Sequence, residues 1–149
     1  MNKFFECKIS HVTTDPDTGK DKKMVDTYLV DALSFTEAEA RVQEEVEAYG
    51  SSYGVPTIEG IKKTRLSDIF GEDIEAMRWY KSKVALIEVD EVSAKEKKVN
   101  CTYLVHADSL EDSVKNLKEA MKDSMSDYEI SSIAETPIMD ILRYQVPEK

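Results

Sequence analysis

Glycine is scarce in this chain, with five in 149 residues. So few leave little room for a backbone cradle around a phosphate. No glycine-rich phosphate loop, G-x-S-x-G, H-E-x-x-H or calcium-loop pattern occurs. Histidine and cysteine are scarcer still, at two each. Their spacing contains no C-x-x-C and no Cys/His ligand set, so no metal and no cofactor is expected. Cys7 and Cys101 read as reduced structural thiols, the default of a cytoplasm, and His11 and His106 as lone histidines on predicted strands. No apolar run approaches the ~20 residues needed to span a bilayer. The opening Met1-Asn2-Lys3-Phe4-Phe5-Glu6 has no hydrophobic stretch of signal-peptide length. Carboxylates are plentiful, but no pair is marked out by its spacing, so a non-enzyme is expected.

What is abundant is acid. The net charge is −10 on a chain that is 34% charged and 41% hydrophobic. That balance allows a core, keeps the protein soluble, and argues against general adhesion to nucleic acid, which depends on neutralising phosphate.

The other conspicuous feature is self-similarity. Thr27-Tyr28-Leu29-Val30-Asp31-Ala32-Leu33-Ser34 returns as Thr102-Tyr103-Leu104-Val105-His106-Ala107-Asp108-Ser109. Residues 4–69 can be laid on 79–144 without a gap, and 15 of the 66 pairs are then identical. Among them are Lys8/Lys83, Asp15/Asp90, Glu44/Glu119, Ser51/Ser126, Tyr53/Tyr128 and Ile58/Ile133. A constant offset of 75 residues across loops points to a tandem duplication.

Each copy reads as β-β-α-β. Phe5, Cys7 and Ile9 alternate with polar neighbours, as do Tyr80, Ser82, Val84 and Leu86, the pattern of a strand with one buried face. Asp15-Pro16-Asp17-Thr18-Gly19 is a strong turn signal, and Glu91-Val92-Ser93-Ala94 a weaker one of the same length, so the first hairpin should be the sharper. Second strands follow over about 22–32 and 97–107. Ser34 with Glu37 makes a capping box, and Ser109 with Asp112 a shorter version. The apolar stripes are Phe35, Ala38, Val42, Val46 and Tyr49 in one helix and Leu110, Val114, Leu117 and Met121 in the other. Gly50 should end the first helix. Third strands are expected over residues 57–66 and 130–139, with Pro137 confining the latter to an edge or bulge. Residues 145–149 read as a tail.

The expected fold is therefore α+β. A first repeat spans 1–70, a connector 71–77 and a second repeat 78–149. Two helices pack on largely antiparallel sheet with pseudo-twofold symmetry, and the halves form one compact domain.

Three surfaces carry candidate chemistry. Lys20, Lys22 and Lys23 recur as Lys95, Lys97 and Lys98, supported by Lys8 and Lys83. Such paired clusters could grip the phosphates of a nucleotide or single strand, although lysines at a hairpin rim also keep an edge soluble and Asp21 and Glu96 dilute their field. Phe4 and Trp79, at equivalent strand starts, could stack bases if they lie on the open face of the sheet. Glu37, Glu44, Glu45 and Glu47, with Glu39, form an acidic face that an inhibitor mimicking DNA would present. A solvated helix face is the plainer reading.

Across Tyr28-Leu29-Val30-Asp31-Ala32-Leu33-Ser34-Phe35-Thr36-Glu37-Ala38-Glu39-Ala40-Arg41 the sequence resembles a family of small proteins carried as a domain of unknown function. That family belongs to Bacteroides-group bacteria, their mobile elements and their phages. Phe5-Glu6-Cys7-Lys8, Trp79-Tyr80-Lys81-Ser82-Lys83 and Ala134-Glu135-Thr136-Pro137-Ile138-Met139-Asp140 are similar to it too. The resemblance brings no catalytic residues. It implies the cytoplasm of a bacterial or phage-infected cell. The expectation that follows is a non-enzymatic accessory protein acting through protein–protein contacts, with a homo-oligomer as a further possibility. Binding of a nucleotide or single-stranded nucleic acid, and inhibition of a DNA-binding enzyme, are the alternatives.

Overall fold

The structure is a computed structural model that describes residues 3–49 and 56–143, without the side chains of residues 48 and 49. Gly50, Ser51, Tyr53, the Tyr49 side chain and the 145–149 tail, all used in the sequence reading, lie outside the described residues. The fold is α+β, with two helices and eight strands in two four-stranded sheets among the described residues. The chain divides into two units. Unit 1 comprises the described residues of Met1–Thr64 and Ile138–Lys149, and unit 2 is Arg65–Pro137.

In unit 1, β1 (Lys3–Thr14) and β2 (Asp21–Ala32) form a long antiparallel hairpin. α1 (Phe35–Tyr49) follows, then β3 (Thr57–Thr64), which pairs antiparallel with β1. The fourth strand is β8 (Ile138–Leu142), which lies parallel beside β2, giving the order β3-β1-β2-β8. Phe5, Cys7, Ile9, Val30 and Ala32 point to one face and close a core with Ala38, Val42 and Val46 of the helix. This is the expected one-sided packing, except that Phe35 stands half-exposed. Thr27, Leu29 and Asp31 on the other face of β2 are buried as well.

In unit 2, β5 (Arg78–Val89) and β6 (Glu96–Ala107) form the hairpin. β7 (Asp127–Thr136) pairs antiparallel with β5, and β4 (Asp68–Phe70) lies parallel beside β6, so the order is β4-β6-β5-β7. α2 (Leu110–Ala120) places Leu117, followed by its C-cap residue Met121, against Val84, Tyr103 and Val105. Its leading residue Leu110 is exposed.

Two expectations are corrected by the strands. Six strands become eight, because β4 and β8 are separate elements rather than ends or tails of the third strands. β3 stops at Thr64, and Arg65-Leu66-Ser67 separates it from β4. β7 stops at Thr136, where Pro137, with no N–H to give a ladder, separates it from β8. The constant offset also fails beyond the helices. Phe4 faces Thr64 and Trp79 faces Thr136, so strand starts 75 residues apart meet partners 72 apart. Both β1 and β5 carry a register break, after Lys8 and after Lys83. Ile58 thus holds the place of Ile130, opposite Ile9 and Val84, and not that of Ile133. β7 is an edge strand, but the expected confinement by Pro137 does not apply, because Pro137 lies beyond the end of β7 rather than within it.

The hairpin turns are also more alike than their sequences. Asp15 Oδ1 accepts the N–H of Asp17 and Thr18, and Asp90 Oδ1 that of Val92 and Ser93. Gly19 takes φ +70° and donates to the Asp15 carbonyl; Ala94 takes φ +57° and donates to that of Asp90. The first turn is therefore not the sharper one. Alanine occupies the left-handed region that glycine occupies in the first, at a steric cost of about 1 kcal/mol.

Candidate functional site

The hairpins are where side chains are offered to solvent. Every residue of 15–25 and of 88–98 is exposed. Beyond Ser10, β1 has no β3 partner among the described residues, so β1 and β2 continue as a two-stranded arm. The arm carries Val12 and Val25, about half exposed, and the second hairpin carries Val89 and the almost fully exposed Val92. Sequence reasoning missed these valines because a strand pattern does not say where a sheet loses its third strand. His11, on the helix-side face of the arm, contacts Asp26 at 3.0 Å.

Lys20, Lys22, Lys23, Lys95, Lys97 and Lys98 all lie on these hairpins and are exposed. Carboxylates accompany them closely. Lys23 Nζ sits 2.8 Å from Glu59, which also accepts from Ser10 Oγ at 2.7 Å. The Lys23 bond first, then the serine, holds the Glu59 carboxyl below its ordinary value. Lys98 pairs with Glu129 at 3.2 Å. Residues 15–25 hold three acids and three lysines, and 88–98 four acids and three lysines. Asp15 and Asp90 stay ionised further into acid than ordinary carboxyls because turn N–H groups bind them. Neither hairpin therefore bears net positive charge. Lys8 and Lys83 are exposed at the register breaks, where β1 pairs with β3 and β5 with β7, not at the hairpin ends.

The proposed stacking residues have other contacts. Trp79 is 5% exposed, and its indole stacks on His106 at 4.1 Å between centroids and 8° between planes. That imidazole covers the face a base would need. Phe4 is half-buried with the Arg143 guanidinium 5.4 Å above its ring. Of the acidic set, Glu44 and Glu47 are exposed and Glu45 is half-buried. Glu37 serves as a cap: its N–H donates to Ser34 Oγ while its Oε2 accepts from Leu33 N–H. Its Oε1 is buried without a hydrogen-bond partner among the described residues.

The most developed polar cluster was not foreseen. Asp31 is 2% exposed at the end of β2. Arg143, just past β8, brings Nη1 to 3.4 Å from Asp31 Oδ2. Arg41 of α1 donates from Nη1 to the Asp31 carbonyl and from Nη2 to the Arg143 carbonyl. Helix, β2 and β8 are thus tied at one point. In unit 2 the matching strand end holds His106, whose Nδ1 is 3.1 Å from the Gly71 carbonyl just past β4. Asn116 of α2 donates to the His106 carbonyl at 3.0 Å. The signal in the sequence was a lone charge inside the apolar run of residues 28–32.

Cys7 is not poised for chemistry. Burial, then the nearby Glu6 charge, pushes the Cys7 thiol up to about 12. Tyr103 stacks on Phe70 at 4.9 Å and is pushed up to about 12 by burial first and then by its hydrogen bond with Cys101. No cluster of three metal-ligating side chains occurs among the described residues, and no described helix is long and apolar enough to cross a membrane.

No curated protein and no solved structure matches the chain. A family model described as a domain of unknown function, DUF4494, matches residues 3–144, nearly the whole sequence, and the chain belongs to that family.

Proposed function

We propose that the protein is a non-enzymatic accessory module that works through protein–protein contacts made by its two hairpins. The observation that carries this reading is the exposure of Val12, Val25, Val89 and Val92 on hairpins whose lysines are matched by carboxylates. Exposed apolar groups among balanced charges suit a protein surface, where burial of the valines supplies affinity and the charges set register. A phosphate chain would instead call for uncompensated positive charge. The nucleotide and single-strand alternative is weakened on that ground, and by the cover over Trp79. The inhibitor alternative keeps only the exposed part of its acidic face, Glu39, Glu44 and Glu47.

The wider reading is a duplicated β-β-α-β-β unit with pseudo-twofold symmetry. Its support is the shared sheet order, the shared register breaks, the like turns, and the helix side chain that bonds the carbonyl of the penultimate residue of β2 and of β6. A cytoplasmic setting among bacterial mobile elements and phages rests on the family resemblance and belongs to the same proposal.

The test compares two sets of changes in one capture experiment. Val12→Asp, Val25→Asp, Val89→Asp and Val92→Asp together should abolish capture of a protein partner from host lysate. Alanine at Lys20, Lys22, Lys23, Lys95, Lys97 and Lys98 should reduce it less than threefold. The reverse ranking, or nucleotide copurifying with the natural protein and lost in the lysine variant, would replace this reading with the alternative.

A further inference from the structure

The edge of β2 in unit 1 is filled by a strand that the chain reaches only after completing all of unit 2. β8 follows β7 with the single residue Pro137 between them. Its seat is specific in several ways. Ile138 is buried, Leu142 packs against the α1-covered core, and Tyr28, Leu29 and Val30 pair in parallel with Asp140, Ile141 and Leu142. Arg143 meets the buried Asp31, and Arg41 binds the Arg143 carbonyl. β4, by contrast, adds only three residues to β6 and sits between β3 and the connector, so it cannot leave without dragging the middle of the chain.

We propose that the β2 edge with Asp31 and Arg41 is an acceptor site for a strand of the β8 type, and that β8 can fill it in a second copy of this chain. Every contact β8 makes inside one chain is available in the same form between two, so exchange forfeits none of them. The connection from β7 to β8 is the single residue Pro137, the kind of short link that favours exchange. Within one chain the competing strand is present at high effective concentration. Exchange therefore needs either concentrated protein or a mismatch between a chain's own strand and its own acceptor.

That mismatch is the test, made in full-length chains. Asp31→Arg in one chain and Arg143→Asp in another place like charges together within each. Mixing them restores opposite charges only across chains. The expected result is a 1:1 heterodimer of twice the chain mass by native mass spectrometry, with the chain carrying both changes remaining monomeric at equal concentration. Folded variants that stay monomeric when mixed would overturn the proposal.

Because Asp31 is buried and its replacement could unfold unit 1, a second experiment leaves the acceptor intact. Ile138→Asp with Leu142→Asp disables the chain's own strand. A fluorescent peptide of residues 137–143 should then bind this full-length variant at least tenfold more tightly than the same peptide carrying Arg143→Asp. It should also restore amide protection at residues 27–30. Absence of binding, whether the variant is folded or not, or equal binding of both peptides, would overturn the proposal.

Discussion

At the end of its second strand, unit 1 buries an aspartate and unit 2 a partly buried histidine. Around Asp31 the partners are cationic: Arg143 from beyond β8, its guanidinium lying over Phe4, and Arg41 from α1. Around His106 they are neutral: the Gly71 carbonyl from beyond β4, Asn116 from α2, and the Trp79 face. The sources of the partners correspond while the chemistry does not. A polar group at a buried strand end calls for partners, and each unit supplies its own set. What the two units hold in common is where the partners come from.

This comparison can be broken at its ionic end. Arg143→Ala removes the guanidinium beside a buried carboxylate and should lower stability by about 2–3 kcal/mol. Asn116→Ala, which removes a neutral donor from a carbonyl, should lower it by about 1 kcal/mol. Urea denaturation of the two variants ranks them, and equal losses would mean that the buried charge is not held by Arg143.

The helix-facing cores differ in size at matched points. Leu117 and Val42 are both fully buried against their sheets. Leu117→Ala should cost about 3 kcal/mol and Val42→Ala about 2 kcal/mol, the larger cavity setting the larger loss. Thermal unfolding of each variant, followed by circular dichroism, checks the order.

A smaller effect comes from the middle of the first strands, where unit 1 has Cys7 and unit 2 has Ser82. Both are fully buried, and Ser82 Oγ has no hydrogen-bond partner among the described residues. Ser82→Cys should raise stability by about 1 kcal/mol by removing an unsatisfied hydroxyl, and Cys7→Ser should lower it by about as much. If both changes lowered stability, the Ser82 hydroxyl would have a partner after all.

The smallest effect is at the turns. Ala94→Gly should gain roughly 0.5–1 kcal/mol, and Gly19→Ala should lose a similar amount, because both positions need positive φ. A loss on Ala94→Gly would show that the second turn does not take the first turn's shape.

Much of this was legible in the sequence. The hairpins, Ser34 and Ser109 as caps, and the inward faces Phe5-x-Cys7-x-Ile9 and Ala38, Val42 and Val46 follow from periodicity and capping chemistry. What periodicity could not find was a strand of three residues or a junction at Pro137. The third and fourth strands run on in sequence, and only pairing partners separate them. The ungapped match carried the same blindness. Identities before the helices fix an offset of 75, and nothing in Ile58 or Ile133 says that three residues are missing from the second copy. Trp79 was misjudged for a related reason, since alternation tells which residues share a face but not whether that face is covered. The Asp31 cluster needed Arg143, 112 residues away, and no local pattern announces such a partner.

The central claim is the identity of the fourth strand in each sheet. Nuclear Overhauser contacts across the parallel pairs test it directly in solution. The account predicts backbone contacts of Tyr28, Leu29 and Val30 with Asp140, Ile141 and Leu142, and of Tyr103, Leu104 and Val105 with Asp68, Ile69 and Phe70. Contacts of residues 103–105 with 140–142 instead would place each closing strand on the sheet of its own sequence repeat and contradict it.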